Sequence, residues 1–142
     1  MIQEIRYEGP MEFVNSHPTV CAWTGRALTM LVTLALFADA AQIFFSRSHT
    51  KAEFAATGFA DSATIPLGIT ILFCAILYVI PQTAVLGAIL VTGFLGGAIC
   101  THFRLGAIAS PPQIISLVLG LMTWGGLYLR NGHVRSLLPF VT

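Results

Sequence analysis

Asp39 is the residue through which chemistry enters this sequence. It is the one acid in the apolar run 27–45, bounded by Arg26 and Arg47. A carboxylate at membrane depth costs about 2.5–3.5 kcal/mol on insertion scales, so it should face other helices and find a partner there. Gln42, three residues on, shares its helical face. If the run is a helix, Asp39 lies roughly 9 Å short of its end. His102 and Arg104 close another apolar run that travels in the same direction, and Arg104 can bend back along its stem. Glu53, in the polar segment between, can reach the same level. Asp39, Gln42, His102, Arg104 and Glu53 therefore form the expected polar cluster. Two readings of it stand side by side: an ion pair that fixes helix register, and a ligand or proton site.

Other reactive side chains are scattered. Cys21, Cys74 and Cys100 form no CxxC pair and have no Cys/His ligand spacing, so neither a metal site nor a dithiol is expected. His49 and His133 read as solvated interfacial residues. No nucleophile–base pair is visible, so no catalytic residue is assigned and a stand-alone enzyme is not expected.

The elements that must position the cluster follow from composition. The chain of 142 residues is 56% hydrophobic and only 9% charged, with a net charge of +1. An ordinary soluble domain is about 25% charged. That deficit excludes disorder, a charged coiled coil and a nucleic-acid-binding module. The charges cluster, leaving apolar runs at 27–45, 63–80, 84–103 and 113–129, each long enough to cross a bilayer as a helix. No stretch alternates as a barrel strand would. The expected architecture is an all-α, integral membrane, four-helix antiparallel bundle forming a single domain over 1–142. A polar tail occupies 1–25, and a long loop, 46–62, carries a short interfacial helix near Thr50 to Ala56. Pro81-Gln82-Thr83 is short enough to make the second and third helices antiparallel neighbours.

The face with both termini is side A, and the face with the long loop is side B. Arg26, Arg130 and Arg135 on side A balance Arg47, Lys51 and Arg104 on side B, and Arg6 tips the count toward cytoplasmic termini. Trp23, Tyr78, Trp124 and Tyr128 all fall at side A as an aromatic belt. Pro112, Gln113 and Tyr128 should sit at the interfaces rather than in the core.

The third helix carries the clearest packing signal. Ala84, Ala88, Thr92, Gly96 and Cys100 recur every fourth residue, with Gly93-x-x-x-Gly97 beside them. Small residues permit the close backbone approach on which association in lipid depends, so this helix should be central, using Gly93, Gly96 and Gly97. In the fourth helix Gly120 serves either the bundle or a homodimer.

Two stretches resemble a known family. The first is Ile80-Pro81-Gln82-Thr83-Ala84-Val85-Leu86-Gly87-Ala88, continued by Gly93-Phe94-Leu95-Gly96-Gly97-Ala98 and Thr101-His102-Phe103-Arg104. The second is Trp124-Gly125-Gly126-Leu127-Tyr128-Leu129-Arg130 with Leu138-Pro139. Both are similar to the DoxX-like family, over roughly Arg26 to Pro139. Gln82 stands where an arginine is common, and Ile43 stands where relatives carry a lysine four residues after the acid. The resemblance implies a multi-pass protein of the bacterial inner membrane. It also implies an accessory subunit of a membrane redox system, with quinone as the cofactor and a redox subunit as partner. A small hydrophobic-ligand binder or transporter is the alternative, and a structural or assembly protein the third.

Overall fold

The computed structural model describes residues 18–132 and 134. The polar segment before Pro18, His133, Arg135 and Leu138-Pro139 lie outside the described residues, as does the side chain of His49. Helix α1 spans Pro18–Phe45, α2 Arg47–Thr57, α3 Thr64–Val79, α4 Ala84–Arg104 and α5 Pro111–Arg130, with one 3-10 turn at Asp61–Ala63. Four of these helices (all but α2) are long and apolar enough to cross a membrane.

The start of α1 differs from the sequence expectation by more than two turns. Arg26 does not end the helix. Its guanidinium lies over the Trp23 ring at 5.5 Å, so the charge is accommodated at the helix surface while the backbone continues. At 28 residues the helix is roughly 42 Å long, against a hydrocarbon core of about 30 Å, so its first turns lie in the interfacial layer. The other boundaries follow local chemistry. Pro111 and Pro112 open α5 behind Ser110, where the first amides have no partner in any case. Gly58, at φ 75, ends α2 in the left-handed conformation. Only Ser46 separates α1 from α2.

The long helices form a ring in the order α1, α3, α4, α5, closed by α5 against α1. Successive helices run in opposite directions, so every neighbouring pair is antiparallel and α1 faces α4 across the diagonal. The core is a set of inward stripes: Val32, Leu36 and Ala40 from α1, Ile71, Cys74, Ala75 and Tyr78 from α3, Ala88, Val91 and Leu95 from α4, and Leu127 from α5. The outer surface is the reverse of a soluble protein's, with Met30, Leu34, Phe73, Leu86 and Leu121 exposed. An exterior of this kind suits lipid rather than water.

The central position expected for the third spanning helix is corrected by this ring: α4 has two neighbours, as its counterparts do. Among the described residues no helix of the same chain packs closely on Gly93, Gly96 or Gly97. A Cβ at any of the three would meet nothing within 4 Å. The reason is angular. The buried stripe of α4 is Ala84, Gly87, Ala88, Val91 and Leu95, and a step of two residues turns about 200° around a helix. Gly93 and Gly97 follow Val91 and Leu95 by two, which puts them on the outside. Gly120 is approached by Leu95 alone, at 4.0 Å.

Candidate functional site

Side B of the bundle is covered by α2, and the polar groups gather beneath it. Asp39 of α1 and Glu53 of α2 line one pocket, with Ile43, Thr50, Phe54, Leu67, Ile71 and Phe94 completing its wall. The cavity measures about 120 Å³ and is open on one side. Asp39 and Glu53 enter that lining from different helices, α1 and α2. Three of the four spanning helices contribute to its wall. A second cavity of about 230 Å³ lies on the other flank of Ile43, lined by Phe44, Lys51, Asp61, Thr64 and Ile65. The Lys51 Nζ stands 3.2 Å from the Asp61 carboxylate, with both side chains well exposed.

Local structure explains how α2 brings Glu53 there. Its first turn is pinned to the end of α1: Thr50, itself buried, donates from Oγ1 to the Gln42 carbonyl at 3.2 Å. Its last turn is tied to α4, because Arg104 Nη2 donates to the Thr57 carbonyl at 2.7 Å. A guanidinium at a helix C-terminus satisfies an orphan carbonyl and complements the helix dipole. Phe54 packs edge-on against Phe59 beyond the cap, their centroids 5.9 Å apart.

The expected cluster thus separates. Asp39 and Glu53 converge on the cavity. Gln42 contributes its backbone carbonyl to the α2 pin. His102 turns to its own helix, its Nδ1 2.9 Å from the Ala98 carbonyl, and since a carbonyl only accepts, Nδ1 is the protonated nitrogen. Arg104 reaches α2 instead of Asp39. The physical reason is the ring: α1 and α4 are diagonal, and the apolar Phe94 side chain fills the wall between them. Sequence reasoning missed Thr50, Leu67, Ile71 and Phe94. The i, i+4 spacing of Leu67 and Ile71 placed them on one face of α3, but nothing in sequence marked that face as a cavity wall.

Side A is closed. Tyr78 is fully buried, and its hydroxyl donates to the Thr123 carbonyl at 2.9 Å. The expected aromatic belt is corrected here, because Tyr78 points inward while Trp23 remains exposed. Arg130 Nη2 donates to the Tyr78 carbonyl at 2.9 Å, and its guanidinium lies 5.4 Å from the Tyr78 ring centroid. A Cβ on Gly25 would come within 3.0 Å of the α5 backbone, which is where α1 and α5 cross. Trp124 Nε1 donates to Thr92 Oγ1 at 2.9 Å, linking α5 to α4. Gln113, expected at an interface, is buried at the opening of α5. Its Oε1 accepts the Ser110 N–H at 3.1 Å, and its Nε2 donates to the Ile99 carbonyl at 3.4 Å. Cys21 and Cys74 are buried and Cys100 exposed, all as free thiols. Among the described residues no three His, Cys, Asp or Glu side chains converge as metal ligands.

With this geometry in hand, comparison with protein-family models gives a match to the DoxX-like family over residues 27–126. The chain belongs to the DoxX-like family. Comparisons with curated proteins and with solved structures returned no match. The family match takes in both acids of the side B cavity, Phe94 and the Arg104 tie. Arg130 of the side A node lies beyond it. This DoxX-like chain is a multi-pass membrane protein whose described residues place a cavity lined by two acids at side B.

Proposed function

We propose that this DoxX-like protein holds the polar head of a small amphipathic molecule in the cavity beneath α2. The observation that supports this reading is the convergence of Asp39 and Glu53, from two different helices, on one concave site whose remaining wall, Thr50 apart, is apolar. With both acids ionised the site accepts hydrogen bonds and does not donate, so in that state the matching head carries hydroxyl or ammonium donors. At about 120 Å³ the cavity is smaller than the roughly 300–1,000 Å³ of a drug-sized ligand site. It suits a head group, with the apolar remainder of the molecule lying along the lipid-facing surface.

The resemblance adds a second element to the proposal: an accessory subunit of a quinone-linked redox system in the bacterial inner membrane. The donor–acceptor chemistry favours the reduced form of such a cofactor. The hydroxyls of a quinol can donate to Asp39 and Glu53, whereas the carbonyls of a quinone would face acceptors. A bound quinol would supply two electrons and two protons. The role of this chain's own residues is to receive those hydroxyls in a pocket walled by Leu67, Ile71 and Phe94.

Purification in mild detergent, followed by native mass spectrometry and solvent extraction, tests the reading. The expected result is a lipid-like molecule with a hydroxyl or amine head, retained by the wild type and lost from an Asp39→Asn, Glu53→Gln variant of unchanged helicity. A quinol spectrum or a co-purifying dehydrogenase supports the redox role. Identical small-molecule content in both proteins overturns the binding reading and leaves the assembly role.

A further inference from the structure

We propose that α2 is a hinged cover, latched by Arg104, whose lifting exposes the floor of the Asp39–Glu53 cavity, at Ile71, to the water on side B. The proposal rests on the ligand-binding reading for its purpose, but its evidence is independent of any ligand. It begins with how little holds α2. Of its described side chains, Thr50 is buried and Phe54 and Thr57 are half-buried, while Lys51, Ala52, Glu53, Ala55 and Ala56 are exposed. An element with few buried apolar contacts belongs to the low-stability end of a fold, the end from which moving parts are drawn.

Both ends of α2 have the backbone features of a hinge. Ser46 interrupts the helical path between α1 and α2 as a single residue at φ −106, ψ 57, and Gly58 closes the other end at φ 75. Rotation about these two points moves the eleven residues between them as one rigid helix. The spanning helices need not shift.

Besides the Thr50 bond to the Gln42 carbonyl and the half-buried Phe54, two polar connections at the rim keep the cover down. Arg104 Nη2 holds the Thr57 carbonyl, next to the Gly58 hinge, and a Cβ on Gly58 would stand 3.2 Å from that guanidinium. Lys51 holds Asp61 across the neighbouring cavity. Solvated ion pairs contribute little and are readily exchanged for water. The Arg104 bond is the shorter, and it reaches a carbonyl left unpaired at a helix end, so it is the stronger of the two. Beneath the cover lies Ile71, only 1% exposed although it lines the cavity. In a bilayer the path from water to Ile71 runs under α2.

Thiol labelling in lipid nanodiscs tests this. In a chain with Cys21, Cys74 and Cys100 replaced by alanine, Ile71→Cys reports the cavity floor and Leu127→Cys the sealed side A core, where Leu127 has no exposure. A water-soluble maleimide should label Ile71→Cys slowly. Arg104→Gln should raise that rate about tenfold (~1.4 kcal/mol), with Leu127→Cys remaining unlabelled. Leu67→Cys, on the same wall, gives a second report if Ile71→Cys folds poorly. An unchanged rate in Arg104→Gln overturns the latch, and a parallel rise at Leu127→Cys overturns it in favour of general loosening. No ligand enters the assay, so an empty cavity in the purification experiment leaves this result untouched.

Discussion

The two ends of the bundle use polar side chains in opposite ways. On side A, Tyr78, Thr123 and Arg130 bond to one another's helices, at a level where Tyr78 and Thr123 have no exposure. The Tyr78 and Thr123 hydroxyls and one Arg130 N–H there have protein acceptors, and α1 and α5 cross closely at Gly25. On side B, Asp39 and Glu53 border an open cavity, and the helix above it is tied down by contacts at its edges. Polar groups that satisfy one another serve the fold. Polar groups that face a cavity are carried at a cost to the fold, which is why an acid in a membrane span points to function. The difference predicts stability effects of opposite sign at the two ends.

The largest expected effect is at side A. Gly87 opens α4 directly against the turn from α3, and a Cβ there would fall on the Tyr78 backbone. Backbone has no rotamer by which to escape, so Gly87→Val cannot be absorbed as an ordinary overpacked side chain can. The cost should exceed the ~1–3 kcal/mol typical of overpacking. Gel filtration and thermal unfolding in detergent should show aggregation or a large fall in Tm. A variant as stable as the wild type would show that side A is not the rigid end.

At side B the expected sign reverses. Asp39→Leu removes a charge from a spanning helix and leaves the neighbouring Glu53 without a like charge opposite it. Burial scales set an upper bound of about 2.5–3.5 kcal/mol on the gain. Asp39 borders an open cavity, so a stabilisation of about 1 kcal/mol is expected. Thermal unfolding should show a higher Tm together with loss of any co-purifying molecule. A fall in Tm would mean that Asp39 is structural, which collapses the contrast between the ends.

The fold was legible because its cause is one-dimensional: apolar runs of bilayer length between charge clusters dictate spanning helices whatever their arrangement. The short Pro81-Gln82-Thr83 connection fixed one antiparallel pair in the same way. What sequence could not supply was the ring order. Without it, Asp39 and Arg104 looked like partners because their helices run in the same direction, although they stand on opposite corners. The same gap hid the real close approaches. Gly25, Gly87 and Gly126 have no regular spacing, and each is small because of a segment distant in sequence or beyond a turn. The regularly spaced glycines of α4, which looked like a packing motif, lie outside the ring. Sequence places Glu53 near Asp39 only as part of a long loop, and the structure supplies the cause: α2 begins one residue after α1 and folds back near the Asp39 level.

The smallest expected effect tests that outer face. Gly93 and Gly97 sit within α4 with nothing near a prospective Cβ, so Gly93→Ala and Gly97→Ala meet no steric objection inside the chain. Glycine in a helix interior costs roughly 0.5–1 kcal/mol relative to alanine. Each replacement should therefore be neutral or stabilising by up to about that amount, unlike a change at Gly25, Gly87 or Gly126 on side A. Thermal unfolding of the single and double variants in detergent reads the effect, with gel filtration reporting oligomeric state. Two helices pressed together through a Gly-x-x-x-Gly strip would lose their close backbone approach on gaining the methyl groups. A drop in Tm accompanied by a shift to smaller particles would therefore mean that the face left open by the ring is closed by a second copy of the chain.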